Sequence, residues 1–143
     1  MMRWALAVLL LQAGAAIAAP SPVTPQPEVN RDGGRDFGAG QAVVKVLKDQ
    51  RMIIMDFGSE VSWVSAPPAK MVANVRQIRA LVIKHFGNMP YDKTTLPLRV
   101  VADYEKKLIE VHLPTTASSI AANPEMWLAL AEVIEETARD LEK

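Results

Sequence analysis

The stretch EVSWVSAPPAKMVANVRQIRALVIKHFG, residues 60–87, decides the fold, because the hydrophobic period changes inside it. Glu60-Val61-Ser62-Trp63-Val64-Ser65 alternates in the manner of a strand. Ala66-Pro67-Pro68 then ends the sheet, and proline is tolerated in a first helical turn. From Ala69 the period becomes helical. Met71, Val75, Ile78, Val82 and His85 fall on one stripe, with Lys70, Asn74, Gln77 and Lys84 on the wet side. Gly87 suits a left-handed helix end, since glycine has no Cβ to clash there. The spacing predicts a helix over 69–86.

Upstream, Ala42 to Leu47 is short and β-branched, and Arg51 to Phe57 is apolar on both faces. With Lys48–Gln50 and Gly58-Ser59 as turns, residues 41–65 predict a three-stranded antiparallel meander, whose third strand is an edge. Downstream, Leu98–Ala102 and Lys107–Leu113 flank a polar turn and predict a hairpin. Ile109, Val111 and Leu113 form its core face, while Glu110 and His112 share the other. Pro114–Ala122 reads as a loop with a helical turn at Ser118–Ala122. Asn123-Pro124-Glu125 is a cap, a first-turn proline and an acid, and it opens a helix running to the C-terminus. Trp127, Leu130, Ile134, Ala138 and Leu141 form that helix's buried stripe. The fold class is therefore α+β: an antiparallel sheet, βββ-α-ββ-α, with both helices on one face.

The N-terminus speaks of destination. Arg3 precedes an apolar run, Trp4 to Leu11, and a tail of small residues through Ala19. That order is a secretory signal peptide, with Ala16-Ile17-Ala18 fitting the cleavage rule. The run is too short for a bilayer core, which takes roughly 20 apolar residues, so no stable membrane insertion is expected after cleavage. Residues 1–18 are the signal peptide, 19–40 a flexible Pro/Gly-rich linker, and 41–143 a single domain. The expected location is periplasmic or secreted. The chain has no cysteine, so neither a lipoprotein anchor nor a disulfide is available. Sixteen basic residues balance sixteen acidic ones, which gives no electrostatic reason to bind nucleic acid.

Chemical motifs are sparse. The sequence carries no G-x-S-x-G, H-E-x-x-H, Walker loop or G-x-G-x-x-G. Met52 and Met55 are three apart on a strand and face opposite sides, so they do not chelate copper together, and no metal site or cofactor is expected. His85, at the end of the first helix, reads as structural, a cationic or hydrogen-bonding group at a helix C-terminus. Glu110 and His112 are the one acid/base pair worth noting, without an identifiable third partner, and no catalytic residue is assigned. Trp63 is the interface candidate, with Val61 beside it on the expected edge strand.

The element order over 41–143 resembles that of type III secretion chaperones without their N-terminal helix. The resemblance implies binding of a partner segment and homodimer formation. The expectation is a non-catalytic exported accessory or adaptor protein of a bacterial-type envelope that binds another protein. A periplasmic small-ligand or metal-binding protein is the alternative, and a small hydrolase or inhibitor the third.

Overall fold

The structure is a computed structural model that describes residues 34–36 and 43–143; the expected signal peptide and most of the expected linker lie outside the described residues. Within the described residues the order is β1 (Gly34–Asp36), β2 (Val43–Leu47), β3 (Met52–Ala66), α1 (Pro68–Phe86), β4 (Arg99–Asp103), β5 (Leu108–Ala122) and α2 (Pro124–Leu141). Single 3-10 turns occupy Lys48–Gln50 and Lys93–Thr95. The fold is α+β with the helices packed on the sheet.

β3 and β5, each 15 residues long, form the spine of the sheet. They pair antiparallel from Ile53↔Ala122 to Ala66↔Ile109. β4 continues the sheet beyond β5, pairing Arg99↔His112 through Asp103↔Leu108. On the far side of β3, β2 pairs antiparallel with Met52–Asp56, and β1 pairs parallel with Trp63–Ser65. The parallel β1 strand is an addition to the antiparallel sheet, drawn from residues expected to be linker.

Two expectations are corrected here. Gly58-Ser59 does not turn the chain between strands. Gly58 takes φ +86°, and the Asp56 carboxylate accepts its N–H at 2.8 Å, which makes a bulge inside one continuous strand. The register slips between Asp56 and Val61 and slips back between Val61 and Trp63. The two irregularities cancel, because the pairing of Ile53 with Ala122 and that of Trp63 with His112 belong to the same frame. Likewise Pro114–Ala122 is not a loop with a helical turn. It is the second half of β5, and Ile120 and Ala122 pair with Met55 and Ile53.

Alternation along these strands sends Ile53, Met55, Val64, Ile109, Val111 and Ile120 to the helix side, where all are buried. Met71, Val75, Ile78 and Val82 of α1 meet them, as do Trp127, Leu130 and Ile134 of α2. Burying such side chains contributes about 1.5–3 kcal/mol each and drives the fold. Trp127, 1% exposed, donates its indole N–H to the Ile53 carbonyl at 2.9 Å, tying α2 to the start of β3. The start of α2 follows the sequence reading, with Asn123 accepting the Met126 N–H at 2.8 Å. Gly87 ends α1 with a positive φ of +81° but an extended ψ of 178°, so it is not the left-handed helical cap expected.

Charge joins α1 to α2. Glu135 accepts from Arg76 and Arg79, and its carboxyl is held below the ordinary range, chiefly by the Arg79 hydrogen bond. Lys93 bridges Glu132 and Glu136. His85 differs from the cationic expectation. Burial, with Lys84 and Lys48 nearby, pushes its pKa down, so the neutral ring is favoured. Among the described residues its buried Nε2 has no hydrogen-bond partner.

Trp127→Phe is expected to cost about 1–3 kcal/mol, because it removes a buried hydrogen bond and leaves part of the indole's space unfilled. Asn123→Ala is expected to cost about 1 kcal/mol for the lost cap. Urea unfolding of each variant checks both. The Glu135 contribution is present above the ordinary carboxyl value of 4.5 and is lost as pH falls through its lowered folded value. The His85 contribution has the same sign, being present above 6.5 and lost as pH falls through its lowered folded value. Denaturation midpoints between pH 3 and 8 should therefore fall on acidification, and less steeply through the carboxylate range in Glu135→Gln.

Candidate functional site

The sheet face turned away from the helices is built from the opposite alternation. β5 presents Glu110 and His112 there, two residues apart on one strand. Antiparallel pairing places Trp63 of β3 on one side of His112 and Arg99 of β4 on the other. Ser65 and Val101 flank Glu110 in the same way. The site is thus a row across three strands, Trp63–His112–Arg99, with Glu110 one step along the central strand.

Side-chain contacts follow that frame. The rings of Trp63 and His112 stack with centroids 5.7 Å apart and planes 15° from parallel. His112 Nε2 lies 2.8 Å from Glu110 Oε1, with both side chains about a quarter exposed. Arg99 Nη2 approaches His112 Nδ1 at 3.5 Å, at the long limit of a hydrogen bond. A guanidinium only donates, so Nδ1 is the acceptor and Nε2 carries the proton that Glu110 accepts. Both ring nitrogens are then engaged.

This arrangement bears on chemistry. A general base needs a free lone pair facing its substrate. The lone pair of His112 in this tautomer is the one on Nδ1, and it points at Arg99. The ring is instead a fixed, flat surface, held by Glu110 and Arg99 and laid against the Trp63 indole. Aromatic groups of this kind, partly exposed and held rigid, anchor protein contacts more readily than they move protons.

Of the four residues singled out from sequence, the fold brings Trp63, Glu110 and His112 together and sets Val61 apart. Val61 is wholly buried in the core. Its separation has a physical cause. The register slip between Val61 and Trp63 breaks the simple alternation that would have put them on one face. β3 is moreover not an edge strand, since it is paired on both sides across Trp63–Ser65. Arg99 was missed. Its signal was present in the hairpin, because a turn centred on Tyr104–Lys107 sets Arg99 opposite His112.

Among the described residues no group of three or more His, Asp or Glu side chains is placed to hold a metal. Among the same residues no helix is long and apolar enough to cross a membrane. Comparison with known protein families, curated proteins and solved structures returns no match.

The tautomer gives a direct check. Nitrogen-detected NMR of His112 should report the neutral ring protonated at Nε2, and Glu110→Ala should release that preference and change Trp63 fluorescence. Stability should fall by no more than about 1 kcal/mol in Glu110→Ala, as for other solvent-reached hydrogen bonds. A ring protonated at Nδ1 would contradict the geometry.

Proposed function

We propose that this chain is exported and works as a non-catalytic accessory or adaptor protein of a bacterial-type cell envelope, binding another protein through the helix-free face of its sheet. The signal-like order of residues 1–19 supports export. The observation that carries the binding reading is the Trp63–His112 stack, half-buried and pinned from two sides by Glu110 and Arg99. A rigid aromatic surface loses little side-chain entropy on binding, which is why tryptophan is enriched at the centres of interfaces. Arg99, exposed beside it, adds a planar cation suited to a partner's carboxylate or carbonyl groups.

The test pairs native mass spectrometry with one variant. The protein is isolated from its own envelope fraction, intact, beside Trp63→Ala of matched thermal stability. The expected result is a complex with a second polypeptide, lost at least tenfold in Trp63→Ala. A retained small molecule or metal in place of a polypeptide overturns the reading, as does a polypeptide complex that Trp63→Ala leaves unchanged.

A further inference from the structure

A second surface lies on β5, away from the Trp63–His112 row. β4 pairs with β5 only as far as His112, so residues 113–122 have no neighbouring strand on that side among the described residues. Nor, among the described residues, does any loop backbone bond replace it there. An open row of N–H and C=O groups invites another chain, and natural edges are blunted by charges, above all lysine. The edge of β2 carries Lys45, and that of β4 carries Arg99 and Asp103. The stretch Leu113-Pro114-Thr115-Thr116-Ala117-Ser118-Ser119-Ile120-Ala121-Ala122 has no charge at all. Pro114 and the register irregularity over residues 113–116 guard the beginning of this edge, and small side chains over the rest permit close approach.

The edge also sits in a groove. Pro97 and Leu98 rise on one side of it and Met126 of α2 closes it, around a space of about 210 Å³ floored by Leu113 and Ile120. A second space of about 340 Å³ adjoins it past Pro97, Ala122 and Met126. Asp92 and Glu125 line that far end. The Asp92 carboxylate accepts from the Thr94 N–H and hydroxyl, and Glu125 pairs with Arg51 at 3.2 Å. With Arg51 counted, the two carboxylates still leave that end acidic.

We propose that the free edge of β5 over residues 113–122 takes one extended segment of a partner polypeptide as an added strand. That segment carries apolar side chains at alternate positions and a basic end. Backbone pairing to the uncharged edge supplies affinity. Apolar side chains facing the helix side meet Leu113, Ile120 and Met126, and the basic end meets Asp92 and Glu125. A second copy of this chain is the poorer occupant, because it would bring its own Pro97–Leu98 wall against this one. The site is separate from the Trp63 surface and stands or falls independently of it.

The probe is a ten-residue synthetic peptide of alternating valine and threonine with two lysines at one end, made in both orientations. Fluorescence anisotropy with the intact protein measures binding, and amide NMR shifts map it. The expected result is saturable binding of one orientation, with shifts concentrated in Thr115–Ala121. Thr115→Lys together with Ser118→Lys, both exposed positions, should weaken it at least tenfold at unchanged melting temperature, while Trp63→Ala leaves it intact. Replacing the peptide's lysines by glutamates should weaken binding at least fivefold. The proposal is overturned by absence of saturable binding, by shifts mapping elsewhere, by indifference to the peptide's charge, or by a doubling of mass through the same edge without peptide.

Discussion

The pairing of β3 with β5 is the constraint on which the rest of this molecule depends. Both strands run for 15 residues, and every other element is fixed by reference to them. Their helix-side residues make the floor on which α1 and α2 lie. Their other side carries Trp63 and His112 in register. Their ends set where α2 begins, since Asn123 caps that helix one residue after β5 stops and Trp127 reaches back to Ile53. A one-residue error in this register would send Met55 and Ile120 out of the core together. The two compensating slips are tolerated because they cancel, so both halves of the spine keep the same frame.

That spine also explains why the two faces differ so sharply. Helices cover one face completely enough that Ile53, Val64, Ile109 and Val111 are buried within a few per cent. The opposite face is held together by polar and aromatic contacts between neighbouring strands, such as Lys45 with Asp56 and Trp63 with His112. Contacts of that kind contribute modestly to stability, on the order of 0.2–1 kcal/mol each. Their more distinctive effect is to hold flat, shaped surface in place. The molecule therefore separates its stability, which resides between sheet and helices, from its presentable surface.

The helices were legible in the sequence because their signals are local. A stripe at spacings of three and four, a cap at Asn123 and a glycine at 87 act within a few residues of one another. The strands were less legible where pairing at a distance decides the outcome. Gly58-Ser59 has the composition of a turn, and only the neighbouring strands make it a bulge. Leu113–Ala122 is rich in small and hydroxyl residues and contains a proline, which reads as loop, yet the apolar run of β3 recruits it as a partner. β1, three residues beginning with a glycine, owes its strand character wholly to Trp63–Ser65. The site followed the same division. Strand alternation was enough to join Glu110 and His112, while Val61 was misplaced by a register slip that no local signal marks, and Arg99 needed the hairpin register.

The most direct measurement of this account is amide hydrogen exchange along β5 in the free protein. If β5 is one long strand paired to β3 and open beyond His112 on its other side, protection should be uniform over Leu108–His112. It should alternate, slow then fast, over Ser119–Ala122. Fast exchange throughout Ser119–Ala122 would return that segment to a loop, break the spine in half and contradict the account.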